Sequence, residues 1–303
     1  MRSIKIGTRN SPLALWQARE VARHLQNLNY TTDITPIVST GDKNLTAPLY
    51  AMGITGVFTR DLDAALLAGD IDVAVHSLKD IPTVLPEGIE IISYLERDFP
   101  QDVLVRSKAA KDKKLSELLI ATSSLRRRAF WKNHFPQAEF VDIRGNVQTR
   151  LEKLESGVAD ATMFSKAGLE RLELPVEYEE IPQLLCAPSQ GVVAVTGRTD
   201  NQEINTVLRD INDFKTQICV EIERDFLRTL EGGCTAPIGA YAELLGSDIR
   251  FQGRICSLDG VDLLEIEEVF AYDKMKDHGV DLAEKILDSG ARALMQKIKG
   301  QIG

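Results

Sequence analysis

Long apolar runs are missing from this 303-residue chain. No stretch approaches the roughly 18 consecutive apolar residues of a membrane span, so a helical membrane protein is not expected. The opening Met1-Arg2-Ser3-Ile4-Lys5-Ile6-Gly7 has no apolar h-region, so a secretory signal is not expected either. Cysteine is scarce and scattered. The four residues Cys186, Cys219, Cys234 and Cys256 form no C-x-x-C pair, which argues against a zinc site or a disulfide framework and for a reducing, cytoplasmic setting. The four histidines are equally dispersed, and no metal is expected. Positive charge is in deficit: 36 Lys and Arg stand against 45 Asp and Glu, a net charge of −9. That disfavours a surface built to grip nucleic acid or an acidic membrane. What remains is 44% hydrophobic and 27% charged, the mix of a soluble globular protein long enough for two or three domains.

Up to about residue 175, short β-like runs alternate with amphipathic helices. Residues 3–7 read as a strand. Ser11-Pro12 then opens a helix, with serine as N-cap and proline preset for the first helical position. Ala14, Ala18, Val21, Ala22, Leu25 and Leu28 give that helix an apolar face. A strand over 34–38 precedes a glycine-bearing loop over 40–56, of the length often used as a lid. A helix follows, ended by Gly69, and a short apolar strand over 71–75. Beyond Pro100, strands are predicted over 102–105, 119–121, 139–143 and 159–164, with helices starting near Ser124, Asn146 and Ser165. Two such series predict two α/β domains facing a cleft, the usual place for a ligand. Residues 174–188 read as a connection. A long helix over 216–230, alternating strands over 236–270 and one amphipathic helix over 281–297 predict a smaller C-terminal α+β domain.

Charge is distributed unevenly. Residues 122–150 hold Arg126, Arg127, Arg128, Lys132, Arg144 and Arg150 against Glu139 and Asp142, a local surplus of four positive charges. The three helix starts near here lack the first-turn acid that the helix dipole favours. Such helix ends and arginine forks suit phosphate or carboxylate. Gly7-Thr8-Arg9-Asn10-Ser11-Pro12 repeats the pattern more weakly. Val75-His76-Ser77-Leu78-Lys79-Asp80-Ile81-Pro82 puts Lys79 and Asp80 just past a strand, on the ligand side of an α/β sheet. His76 is expected to be packed rather than catalytic. Leu230-Glu231-Gly232-Gly233-Cys234-Thr235-Ala236-Pro237-Ile238-Gly239 sets a thiol on a glycine-rich turn that could hold a covalent adduct, although free cysteines are more often small buried hydrophobes.

Taken in order, these segments resemble the porphobilinogen deaminase (hydroxymethylbilane synthase) family over essentially the full length. The resemblance rests on Arg9-x-Ser11-Pro12-Leu13-Ala14-Leu15-Trp16-Gln17, on the 75–82 motif, on Thr122-Ser123-Ser124-Leu125-Arg126-Arg127, on Arg144-Gly145-Asn146-Val147-x-Thr149-Arg150-Leu151 and on the Cys234 loop. It implies a transferase of porphyrin, tetrapyrrole and heme biosynthesis. Such an enzyme joins porphobilinogen head-to-tail into hydroxymethylbilane with loss of ammonia, on a dipyrromethane primer held by a thioether to Cys234. It implies two periplasmic-binding-protein-like α/β domains, 1–97 with 189–208 and 98–188, plus a C-terminal α+β domain over 209–303.

By the same resemblance Asp80 is catalytic and contacts pyrrole N–H groups. Cys234, Lys79, Asp80, Ser124, Arg126, Arg127, Arg144, Gly145 and Asn146 hold the cofactor, and Arg9, Ser11, Arg150 and Arg171 hold substrate. A cytoplasmic monomer is implied, with a small molecule as its partner rather than nucleic acid or membrane. The chain departs from the family in its lid, where the pattern A-K-x-G-G-K-G-x-F becomes residues 50–58 with Ala51 and Thr55 in place of lysines, while Asp42 is retained and Arg60 keeps a positive charge nearby. The missing lysines weaken the expected clamp on the growing chain. Thr196 stands where a glutamate is common. A catalytically weakened relative and a carboxylate-binding receptor of similar fold stay open as alternatives.

Overall fold

The computed structural model describes residues 3–38, 56, 58–230, 236–274 and 276–302. Among them two compact units separate. One takes 3–38, 56, 58–98 and 191–218; the other takes 99–190, 219–230, 236–274 and 276–302.

The first unit begins with strand β1 (Ile4–Arg9). The Ser11 hydroxyl then accepts the Ala14 N–H at 3.3 Å and starts helix α1 (Pro12–Asn27). Its buried face includes Ala14, Ala18, Val21 and Leu25, as the spacing predicts, and also Gln17. Strand β2 (Thr32–Ile37) pairs parallel with β1. Helix α2 (Arg60–Ala68) stops at Gly69, whose φ of +76° is the left-handed C-cap conformation glycine adopts at low cost. Strand β3 (Val73–Ser77) lies parallel to β1 and starts two residues later than the apolar run suggested. A single 3₁₀ turn, Leu78–Asp80, follows it. Strand β4 (Ile89–Tyr94) had no distinct signal in the sequence.

In the second unit, strand β5 (Asp102–Arg106) and strand β6 (Leu119–Ala121) lead to helix α3 (Leu125–His134), strand β7 (Glu139–Val141), helix α4 (Val147–Glu155), strand β8 (Ala161–Ser165) and helix α5 (Lys166–Glu170). The 174–188 connection contributes a two-residue edge strand, β9 (Glu179–Glu180). The sheet order is β7-β6-β8-β5-β9; β6 runs parallel to β7 and β8, and β5 antiparallel to β8 and β9. Its core gathers around Leu104, Ile120, Phe130, Trp131 and Met163.

Strand β10 (Val193–Arg198) belongs to the first sheet. It inserts antiparallel between β3 and β4, completing the order β2-β1-β3-β10-β4. Helices α6 (Gln202–Arg209) and α7 (Phe214–Thr229) follow.

The meander β11 (Ile238–Leu245), β12 (Asp248–Cys256) and β13 (Leu263–Ala271) forms a three-stranded antiparallel sheet. It packs within the second unit. A Cβ added at Gly239 would lie 2.9 Å from the Phe130 ring and 3.0 Å from the Leu185 carbonyl, so backbone meets backbone there. The single closing helix expected over 281–297 is instead two, α8 (His278–Ile286) and α9 (Arg292–Ile302). They join across a kink where Gly290 takes φ +118°, a conformation that breaks the helical ladder. Two α/β sheet layers and a smaller C-terminal antiparallel part match the expected fold class. Among the described residues no helix is long and apolar enough to cross a membrane.

Candidate functional site

Because β1 and β3 are neighbouring parallel strands, their C-terminal ends lie at one edge of the first sheet. This is the edge where open α/β sheets gather ligands. Arg9 ends β1, Ser11 caps α1, and the turn after β3 presents Asp80. A pocket here is lined by Arg9, Ser11, Gln17, Phe58, His76 and Asp80 among others. The Arg9 guanidinium sits 4.1 Å above the Phe58 ring, a cation–π contact that holds the charge at the pocket. Gln17 is buried and donates to Ser77 Oγ at 2.8 Å. His76 is buried with Nε2 3.3 Å from Thr196 Oγ1. Burial, and then the Arg9 charge, push its pKa down to about 4. It is therefore neutral at pH 7, in keeping with a packed residue. Asp80 is only partly buried, so its carboxylate can meet a ligand. Lys79, half-buried beside it, is outside the lining of this pocket.

The second unit holds a different cluster, built around Asp102. This residue opens β5 and is wholly buried. Arg127 donates to Asp102 Oδ1 from Nε at 3.2 Å and from Nη2 at 2.7 Å. Arg126 Nη2 lies 2.7 Å from Oδ2, an ion contact that is not aligned as a hydrogen bond, so Oδ2 has no hydrogen-bond donor. Burial alone would raise the Asp102 pKa, but the charges of Arg126 and Arg127 outweigh it and hold the carboxyl well below the usual carboxylate range. Arg127 Nη1 and Arg150 Nη2 both donate to the Met163 carbonyl, at 2.8 and 2.6 Å. Arg150 also lies 4.3 Å over the Phe164 ring, and its buried Nε has no hydrogen-bond partner. Burial and then Arg127 lower the Arg150 pKa, but a guanidinium starts so high that it stays charged. Three guanidiniums thus share one carboxylate in a largely dry surrounding. Such a surplus of two positive charges is costly until an anion completes it.

The surrounding helix ends are organised as their sequences suggested, with one exception. Ser124 accepts the Arg127 N–H at 3.4 Å and Asn146 accepts the Thr149 N–H at 2.9 Å, and neither first turn carries an acid. Gly145 has φ +120°, and a Cβ on it would fall 2.8 Å from Thr149 Cγ2, so the approach to the Asn146 cap requires glycine. Arg144 precedes it, partly buried, its carbonyl accepting from Lys153 Nζ. Arg171 is buried at the C-terminal cap of α5. The exception is Ser165. Its helix has five residues and no side-chain cap, and Lys166 pairs with Glu180 at 2.6 Å. It therefore does not join the cluster. Arg128 does not either: it is drawn to the Thr122 carbonyl at 2.7 Å and to Asp142 at 2.8 Å.

Four participants were not among the expected site residues: Asp102, Gln17, Phe58 and Gln190, the last donating to Asp102 Oδ1 at 3.0 Å. Asp102 looked like the polar start of a strand, yet an acid heading the apolar Val103-Leu104-Val105 run is a usable signal of a buried partner. Gln17 falls on the buried stripe of α1, where a polar residue needs a partner. Phe58 and Gln190 offered no comparable sign. Cys234, Asp42, Ala51 and Thr55 lie outside the described residues. Of the four thiols, Cys186, Cys219 and Cys256 are buried, and burial pushes the Cys256 thiol up to about 12. Among the described residues no His, Cys, Asp or Glu grouping could hold a metal ion.

Comparison with known proteins identifies the family. Residues 4–206 match the family model "Porphobilinogen deaminase, dipyromethane cofactor binding domain", and 217–288 match "Porphobilinogen deaminase, C-terminal domain". The Porphobilinogen deaminase of Cytophaga hutchinsonii is 40% identical, over 98% of this chain and 97% of that protein. Those of Chloroherpeton thalassium and Chlorobaculum tepidum are 38% and 39% identical, each over 98% of both chains. With two adjoining family models spanning most of its length and relatives matched from end to end, the chain belongs to the porphobilinogen deaminase family.

Proposed function

We propose that this chain condenses porphobilinogen head-to-tail into the linear tetrapyrrole hydroxymethylbilane, releasing one ammonia for each unit added, from a dipyrromethane primer attached to Cys234. The observation that carries the reading is the Arg126–Arg127–Arg150 cluster, in which three guanidiniums meet, among the described residues, the single carboxylate of Asp102, because porphobilinogen brings an acetate and a propionate on each ring. The residues present fit a dipyrromethane group. The charge surplus and the partnerless Arg150 Nε call for acidic side chains, and the left-handed Gly145 keeps a Cβ away from the Asn146 helix start. When bound, the dipyrromethane supplies the pyrrole carbon that accepts the first new ring.

Arg126, Arg127, Arg144 and Lys79, with Ser124, Gly145 and Asn146, hold the primer's carboxylates and backbone-facing edges. Arg9, Ser11, Arg150 and Arg171 hold those of incoming porphobilinogen. Arginine suits this work through a permanent charge and a two-pronged fork. Asp80 is placed for the chemistry. Departure of ammonia breaks a C–N bond and leaves positive charge conjugated to the substrate's pyrrole nitrogen, which a carboxylate stabilises electrostatically. After the new C–C bond forms, the ring carbon that made the attack must lose its hydrogen as a proton to restore aromaticity, and Asp80 is the base that accepts it. His76, buried and neutral, lines the pocket without taking part.

The reading includes the three-part division 1–97 with 189–208, 98–188 and 209–303. It also includes a monomer acting in the cytoplasm, without metal, membrane or nucleic acid. The experiment is incubation of the purified chain with porphobilinogen, following ammonia and tetrapyrrole, alongside its intact mass. Turnover together with a mass addition of two linked pyrroles mapped to Cys234 supports the enzyme. An unmodified chain that binds porphobilinogen without consuming it would favour a receptor.

A further inference from the structure

Asp102 cannot touch a ligand from solvent, because it has no exposed surface. Its contacts all lead elsewhere. Oδ1 receives two N–H groups of Arg127, and a third donor comes from Gln190, whose Nε2 lies 3.0 Å from Oδ1 and 2.7 Å from the Pro100 carbonyl. Both neighbours of that amide nitrogen are acceptors, so its orientation is fixed. Gln190 is itself 1% exposed and follows Ser189, which takes φ +66° and whose N–H donates to the buried Glu223 at 2.6 Å. A backbone held in that conformation aims the Gln190 side chain at one place.

The two arginines are held unequally. Arg127 is tied at Nε, Nη1 and Nη2. Arg126 is tied through Nη1 to the Leu185 carbonyl at 2.6 Å and otherwise faces Oδ2 through charge alone. Without the carboxylate, neighbouring guanidiniums would repel one another and turn apart. With it, their planes are set before any ligand arrives. Preorganised donors bind without the cost of ordering them on arrival.

We propose that Asp102, held by Gln190, is a positioning residue for this reaction: it sets the orientation of Arg126 and Arg127 and, through the Met163 carbonyl that Arg127 shares with Arg150, the place of Arg150, and so determines the affinity for the carboxylates of primer and substrate. The proposal rests on the condensing activity assigned above for its kinetic readout, and on simple anion binding for its second readout. In Asp102→Asn the shape is kept, but one acceptor oxygen becomes a donor that faces other donors. Gln190→Leu keeps the carboxylate and removes one of its supports.

For wild type and both variants, KM and kcat for porphobilinogen are measured, with the thermal midpoint and the adduct mass. Independently of turnover, the stabilisation of each chain is titrated with adipate, an unreactive dicarboxylate. The expected result for Asp102→Asn is KM raised about tenfold, and the adipate concentration for half-maximal stabilisation raised similarly. Its kcat is expected to change by less than about threefold, with the adduct still present. Gln190→Leu is expected to show the same pattern at about two- to fivefold. A lowered thermal midpoint with unchanged KM and unchanged adipate response, in either variant, means a structural role only and overturns the proposal. Should Asp102→Asn not fold, Gln190→Leu decides by the same two readouts. A wild-type chain that consumes no porphobilinogen overturns the assigned activity, while the adipate titration still decides the role of Asp102.

Discussion

Arg127 and Arg150 reach from two different helices to one oxygen atom, the carbonyl of Met163, at 2.8 and 2.6 Å. Two like charges are thereby held together, while Asp102 neutralises only one charge of the group. That arrangement favours ligand binding over the stability of the empty chain. Arg150→Met removes a half-buried charge and a buried, unpaired Nε donor but keeps much of the side-chain volume. The thermal midpoint is expected to stay level or rise, and KM for porphobilinogen to rise at least about tenfold. Thermal unfolding and steady-state kinetics check this; a lower midpoint with an unchanged KM would count against it.

Asp80 carries the proposed chemistry without supporting the core. Asp80→Ala is expected to keep the fold and the covalent adduct and to lose at least about a hundredfold in kcat. Near-normal turnover in that variant would refute its role.

Thiol counting gives a test that needs no substrate. With Cys186, Cys219 and Cys256 buried, the native chain is expected to resist alkylation at all three. In denaturant, three of the four cysteines should react if Cys234 is tied in a thioether, and Cys234→Ala should still give three. Four reactive thiols in freshly purified wild type would speak against the attachment.

Buried His76 makes stability depend on pH in a defined direction. An exposed histidine titrates near 6.5, whereas His76 titrates at about 4. Between those values the unfolded chain binds more protons, so stability falls as pH drops through that window. Asp102 acts at lower pH: its depressed pKa contributes stability at neutral pH that is lost only below the ordinary carboxylate range. His76→Gln should flatten the slope of the denaturant midpoint between about pH 6.5 and 4. An unchanged slope would exclude His76 as its source.

Gly145→Ala places a side chain at φ +120° against Thr149. A loss of about 1–3 kcal/mol is expected from strain of this kind, measurable as a lower denaturant midpoint. Weaker retention of the covalently loaded form should accompany it. A variant as stable as wild type would show that the turn relaxes.

Much of this site could be anticipated from local rules. Ser11, Ser124 and Asn146 were legible as caps because capping is a contact within three residues. The arginine surplus stood out against a negative chain and against the helix dipole. The same local pattern misled at Ser165, where the helix ends after one turn and Lys166 turns to Glu180, a pairing no spacing rule foretells. For a related reason the sequence could hint that Asp102 needs a buried partner but could not name Arg126, Arg127 or Gln190 as its partners. Its meaning depends on side chains 24 and 88 positions away that sheet pairing brings together, and period-two or period-3.6 patterns hold no information on that. Strand β4 was missed because Ile89–Tyr94 is interrupted by a glutamate and a serine. The kink at Gly290 was missed because one glycine in an amphipathic run is usually absorbed.

The placement of β10 between β3 and β4 has a consequence for the order in which the molecule can be made. When the ribosome has delivered β1 to β4, the first sheet still lacks the strand that joins β4 to the rest. All five strands of the second sheet emerge before Val193. The part synthesised first must therefore wait, with an apolar edge of β3 unpaired, while the part synthesised later can close its own sheet. Non-local pairing of this kind slows folding and exposes strand edges, so the nascent chain is most vulnerable to aggregation in the interval between residues 94 and 198.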